Sequence, residues 1–104
     1  MAQVTISRIR VASDGRLLVF PALPSGETFE FIYRAARGAQ WDSEQGALYT
    51  EAPTTSSYAE RFRHIVEAVA DEYGRDLVLS HETEWQSVPP DIQRAIATLQ
   101  NAAV

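Results

Sequence analysis

The chain has 104 residues, a net charge of −5 and no cysteine. That frames one modest domain, residues 1–104, and closes disulfides, thiolate nucleophiles and cysteine-held zinc or iron–sulfur centres. All nine cations are arginine, so Schiff-base lysine chemistry and the phosphate-loop lysine are closed as well.

The acidic balance also opposes nucleic-acid binding, which needs a positive field to neutralise phosphates. It leaves room only for a local arginine patch, around Arg8 with Arg10 or Arg34 with Arg37. The N-terminal residues begin directly with strand-like alternation and carry no basic-then-apolar leader. No run approaches the roughly 18 apolar residues of a membrane helix. A soluble, cytoplasmic protein that binds neither membrane nor nucleic acid is expected.

Residues 4–11, V-T-I-S-R-I-R-V, alternate apolar and polar but change phase between Ile6 and Ile9, and a bulge near Ser7 reconciles the two halves. Asp14-Gly15 marks a hairpin turn. Arg16 to Ala22 reads as a second strand, apolar on both faces and therefore central, with Pro21 ending its ladder because proline offers no N–H. After the turn L-P-S-G-E, Thr28 to Arg34 alternates cleanly. This predicts a third strand with Phe29, Phe31 and Tyr33 toward the core and Ile32 on the opposite face.

Ala47 to Glu51 reads as a fourth strand closed by Pro53, and Thr54 to Ser57 lead into a helix. Ser57 with Glu60 fits a capping box. Tyr58, Phe62, Ile65, Val66, Val69 and Tyr73 form its apolar stripe, and Gly74 supplies a left-handed stop. Asp76 to Ser80 reads as a fifth strand. Pro89-Pro90 then start a second helix from Asp91 to about Asn101, with Ile92, Ala95, Ile96 and Leu99 on one side. The order is ββββαβα, an α+β fold in which two helices cover one face of an antiparallel sheet of four to five strands.

Two polar clusters invite a chemical reading. His64 shares a helix face with Glu67 and Asp71, and S-H-E-T-E-W at residues 80–85 sets His81 beside Glu82 and Glu84. Carboxylates beside a histidine suit acid–base work, and a small hydrolase or isomerase using His64 or His81 is the enzymatic alternative. A solvated helix face and a charged strand edge that discourages aggregation explain the same residues without chemistry. No zinc-protease, phosphate-loop, dinucleotide or nucleophile-elbow spacing is present, so no metal, cofactor or catalytic residue is expected.

The stretch Q-W-D-S-E-Q-G-A-L-Y reads as a hairpin. Asp42 accepts turn N–H groups, Gly46 takes the left-handed position, and Trp41 faces Leu48 across the ladder. Trp85 is expected to pack beneath the second helix, its indole nitrogen needing a partner.

The run Y-R-A-A-R-G-A-Q-W-D-S-E-Q-G-A-L-Y, the proline-bounded helix, the E-Y-G stop, a short apolar strand and W-Q-S-V-P-P-D-I together resemble small proteins carried on bacterial integron gene cassettes, from about Thr28 onward. The resemblance implies a compact bacterial α+β domain, often self-associating, and brings no catalytic set.

The leading expectation is a non-enzymatic binding or protein-interaction domain of open specificity, self-associating as a homodimer. It would present aromatic and apolar residues, Trp41, Tyr49, Ile32 and Trp85 among them, to a protein or small-molecule partner. The homodimer rests on an open sheet face carrying Ile32, Leu18 and either Ile6 or Ile9, since an uncovered apolar patch usually marks an interface.

Overall fold

The computed structural model describes residues 2–23, 26–35, 38–50 and 57–102. In chain order these form β1 (Ala2–Val11), β2 (Leu17–Pro21), a 3-10 turn (Ile32–Ala35), β3 (Ala39–Asp42), β4 (Ala47–Thr50), α1 (Tyr58–Tyr73), β5 (Arg75–Val78), β6 (Glu84–Gln86) and α2 (Pro90–Ala102). The Pro53 stop, the Thr54–Ser56 lead-in and Arg37 lie outside the described residues.

The strands join in one sheet of order β3-β4-β2-β1-β5, with β6 also against β1. The fold is α+β as expected, but the sheet is mixed. β1 pairs antiparallel with β2, and β4 pairs antiparallel with both β2 and β3, whereas β5 and β6 run parallel to β1. The purely antiparallel expectation fails because α1 carries the chain back along the sheet before β5 begins, and such a crossover delivers a parallel strand.

The phase change in β1 is resolved where the sequence placed it. The register against β2 shifts between Ile6 and Arg8, and Ser7 donates its hydroxyl to the Phe20 carbonyl at 2.9 Å. The extra residue turns Val4, Ile6 and Ile9 all into the core.

The same irregularity splits the far edge of β1. Its first half pairs with β5, from Ala2 to Thr5, and its second half with β6, from Arg8 to Arg10. Between them residues 79–83 leave the ladder. Here the buried Thr83 hydroxyl donates to the Ile6 carbonyl at 2.7 Å and accepts from the Ser80 N–H at 2.9 Å. A side chain thus replaces the strand bond missing at the interruption.

The third strand expected over Thr28 to Arg34 is corrected. Both edges of β2 are already taken, by β1 and β4, so this segment satisfies its backbone locally. Ile32 N–H bonds the Phe29 carbonyl and Arg34 N–H the Phe31 carbonyl, each at 3.0 Å. The side-chain period becomes three. Phe29 and Ile32 point inward, at 1% and 0% exposure, while Phe31 and Tyr33 stand out at 42% and 60%. The Tyr73 hydroxyl accepts from the Phe31 N–H at 3.0 Å and pins the segment to α1.

α1 is capped as read. The Ser57 side chain accepts from the Glu60 N–H at 3.2 Å, and Gly74 closes the helix at φ 64° with its N–H on the Ala70 carbonyl. Phe62, Ile65, Ala68 and Val69 are its buried residues. α2 packs on α1 through Ile96, with Ile92 and Leu99 partly buried. Ala95, expected on the apolar side, is exposed.

Candidate binding surface

Alternation and register sort the sheet into two unlike faces. On the helix-covered face one row runs Trp41, Leu48, Val19, Ile9, Trp85 across five strands. Two tryptophans therefore bracket the core. Trp41 meets Phe29 edge-on, with ring centroids 6.0 Å apart, and both tryptophans are partly buried against the core cluster. Neither lies on the outer face. The Trp41 indole N–H is buried with no hydrogen-bond partner among the described residues.

The outer face is built from arginines and aromatic rings. Gln40, Tyr49, Leu18, Arg10 and Gln86 form one cross-strand row, and Phe20, Arg8 and Glu84 the next. The guanidiniums of Arg8 and Arg10 lie 5.2 and 5.7 Å from the Phe20 ring centre, and that of Arg16 lies 5.0 Å from Tyr49. A cation placed over a ring face gains from the ring quadrupole and is restrained there.

This layer removes the apolar face on which the homodimer expectation rested. Leu18 is 0% exposed, flanked by Arg10 and Tyr49, because long polar side chains cover apolar surface with their stems. Ile6, Ile9 and Ile32 are also 0% exposed, but they belong to the core on the other side. Ile32 is therefore a core residue and not part of a surface.

Two carboxylates organise the ends of this face. Asp14 accepts from the Arg16 backbone N–H at 3.1 Å and from its Nε at 2.8 Å, and these contacts, the backbone bond foremost, hold its pKa below the ordinary 3.8. Asp42 caps the β3–β4 hairpin. It accepts from the Glu44 and Gln45 N–H groups at 3.0 and 3.1 Å and from the Gln45 side-chain amide at 2.9 Å. Its pKa is lowered, chiefly by the Gln45 side-chain bond. Gln45 passes this order on, its carbonyl accepting from Arg10 Nη2. The Trp41–Leu48 pairing and the left-handed Gly46, φ 71°, match the hairpin reading.

Where the face meets the β1–β2 turn, a cleft of about 380 Å³ opens between Arg10, Ser13, Asp14, Arg16 and Ser87. Ser87 has φ 55° and is the one residue other than glycine with positive φ among the described residues. From the helix side, Tyr58 and Arg61 both donate to the Gly15 carbonyl, at 3.0 and 3.3 Å, and fix the turn that forms one wall.

Neither histidine lines this cleft. His64 is half-buried on α1, and His81 is exposed at the tip of the excursion between β5 and β6 with the exposed Glu82. Glu84 faces away to Arg8, with 3.4 Å between Oε2 and Nε. Glu67 pairs with Arg63 at 3.5 Å. Among the described residues no group of three or more ligating side chains is placed to hold a metal ion, and no helix is long and apolar enough to cross a membrane.

Of the four residues singled out from sequence, only Tyr49 reaches the outer face. The residues missed are Arg10, Arg16, Phe20 and Ser87. The signal for the first was present in the Arg8–Arg10 alternation, but nothing local announced which ring each cation would cover.

No curated protein matches the chain. A solved structure titled as Integron Cassette Protein Hfx_Cass5, from the mobile metagenome of North West Arm Sewage Outfall, shares 30% identity over 97% of this chain and 98% of that one, with a TM-score of 0.48. The family model of Integron Cassette Protein Hfx_Cass5 matches residues 4–83, and the chain therefore belongs to the Hfx_Cass5 family of integron cassette proteins.

Proposed function

We propose that the protein is a non-enzymatic binding domain that receives its partner on the outer face of the sheet. The observation that carries this reading is the stacked layer of Arg8, Arg10 and Arg16 on Phe20 and Tyr49, on the face opposite the core-facing row. Arginines beside aromatic rings are the residue types enriched where proteins grip partners. The enzymatic alternative has less support, because a general base needs a companion group within reach in a concavity. His81 is exposed at a turn tip, and neither histidine lines the cleft.

A fragment screen followed by amide NMR tests the reading. Perturbations should gather on residues 8–20 and around Tyr49. Perturbations gathered instead around His64 or His81 would turn the choice toward the hydrolase or isomerase.

Self-association stands as a second reading on a different observation. Phe31 and Tyr33 project together, ring centroids 6.5 Å apart, with Arg34 stacked on Phe31 at 4.5 Å. A second copy seated on this pair would give a homodimer. Sedimentation equilibrium at micromolar concentration should then return twice the 11.6 kDa chain mass, and Tyr33→Ser should restore the monomer. A monomer mass for the unaltered protein removes this reading and leaves the outer face untouched.

A further inference from the structure

From the geometry at the end of the outer face we infer that the cleft between the β1–β2 turn and Ser87 is a binding site for a small organic acid, held through one carboxylate by Arg10 with Arg16 beside it. The inference rests on the binding-domain reading and gives it a ligand class.

The two cations in the cleft are not equivalent. Arg16 is committed to Asp14, through both its Nε and its backbone N–H. Arg10 is not. Its Nη2 donates to the neutral amide of Gln45, its ring partner is Phe20, and its Nε is buried with no hydrogen-bond partner among the described residues. The neighbouring Glu84 is taken by Arg8. A guanidinium partly stripped of water and not offset by a carboxylate attracts an anion more strongly than a solvated one. Placed over the Phe20 ring and tethered by Gln45, it also loses little freedom when it binds.

Charge and size select the ligand. Among the cleft-lining side chains two guanidiniums stand against the Asp14 carboxylate, and Asp42 lies behind Gln45 within electrostatic reach of Arg16, so the site suits no more than a monoanion. Asp14 in the wall opposes a dianion such as hydrogen phosphate. The volume, about 380 Å³, lies at the small end of the range for small-molecule sites. Val11 and Ala12 supply a limited apolar wall for the rest of the molecule. Ser87, in a backbone region that L residues seldom occupy, closes the far side. Such strain concentrates at ligand clamps.

Benzoate is the test ligand, with benzamide as its neutral counterpart and inorganic phosphate as the dianion, all in mildly alkaline buffer where phosphate is mostly doubly charged. Amide NMR should show saturable benzoate shifts at Val11, Ala12, Ser13 and Ser87, with weaker responses to phosphate and none to benzamide. Arg10→Gln should weaken benzoate by about tenfold or more. Ser13→Asp should do the same by cancelling the cleft charge at an exposed turn position, without touching Arg10 or its contacts. Arg63→Gln, exposed on α1 and outside both the outer face and the cleft lining, should leave benzoate affinity unchanged.

Equal shifts with benzamide, tighter phosphate than benzoate, or full benzoate affinity in both Arg10→Gln and Ser13→Asp would overturn the assignment. Benzoate shifts confined to Arg8, Phe20 and Tyr49 would also overturn it while leaving the outer face as the binding surface. No response anywhere on the face would overturn the carboxylate site and leave the outer-face reading to the fragment screen.

Discussion

Thr83→Val is the sharpest probe of how this fold is joined. The substitution keeps the side-chain shape and removes one hydroxyl, which donates to the Ile6 carbonyl at 2.7 Å and accepts from the Ser80 N–H at 2.9 Å. Thr83 is 7% exposed, so water has little access to the Ile6 carbonyl. An orphaned buried acceptor costs about 1 to 3 kcal/mol. The Ser80 N–H is nearer the surface and can recruit water, adding little. The expected loss is about 2 kcal/mol, or a fall in melting temperature of roughly 10 °C at the 4 to 8 °C per kcal/mol typical of a domain this size.

Thr83→Ser separates the hydroxyl from the methyl group. It keeps both hydrogen bonds and loses one methyl, which should cost about 1 kcal/mol. Urea unfolding of the three proteins side by side measures both terms. If the valine variant proves as stable as the unaltered chain, or more stable than the serine variant, the hydroxyl does not bridge the β5–β6 interruption and the explanation of the split edge fails.

Three further outcomes follow from the same geometry. Trp41→Ala should cost about 3 kcal/mol, since it empties one end of the core-facing row. Trp41→Phe should cost under about 1.5 kcal/mol because it also removes an unpartnered buried N–H; thermal unfolding ranks them, and a phenylalanine variant as damaged as the alanine one would contradict the buried orphan. Gly74→Ala should destabilise by about 1 kcal/mol through backbone strain alone, since φ is 64° and nothing lies within 4 Å of the added Cβ. Gly74→Asn should cost less, and equal losses in urea unfolding would point to a steric clash instead.

The third of these outcomes concerns pH. Asp42 has a folded pKa below its ordinary 3.8. Its contribution is therefore complete above that value and is lost as pH falls through the folded pKa. Asp42→Asn should melt below the unaltered protein at about pH 6, with the gap narrowing as pH drops toward about 2. A gap that widens in acid would reverse the sign of the Asp42 argument.

Local chemistry carried much of the fold in legible form. Ser57 with Glu60 and Gly74 mark the ends of α1 because capping depends on groups within a few residues of each other. Asp42 through Gly46 specify a hairpin for the same reason, and that hairpin sets Trp41 against Leu48. The phase change at Ser7 is readable because strand alternation has period two, so one extra residue leaves a trace in the sequence itself.

Other features depended on contacts between distant segments. The alternation from Thr28 to Arg34 is strand-like, but no sheet edge remained for it once β1 and β4 flanked β2, and the backbone closed into a 3-10 turn that exchanged the fates of Ile32 and Phe31. The parallel sense of β5 and β6 follows from where α1 returns the chain, which no local pattern records. The candidate site is of this second kind. Arg8, Arg10, Phe20, Arg16, Tyr49 and Ser87 come from three strands, a turn and a loop, and only strand pairing in register sets guanidinium over ring and leaves Arg10 without a directly paired carboxylate. The sequence by itself determined the helix ends, the hairpins and the bulge, because a few neighbouring residues decide them; which face is open and which cation is uncommitted arose in the tertiary structure, because charge and burial depend on what lies across the sheet.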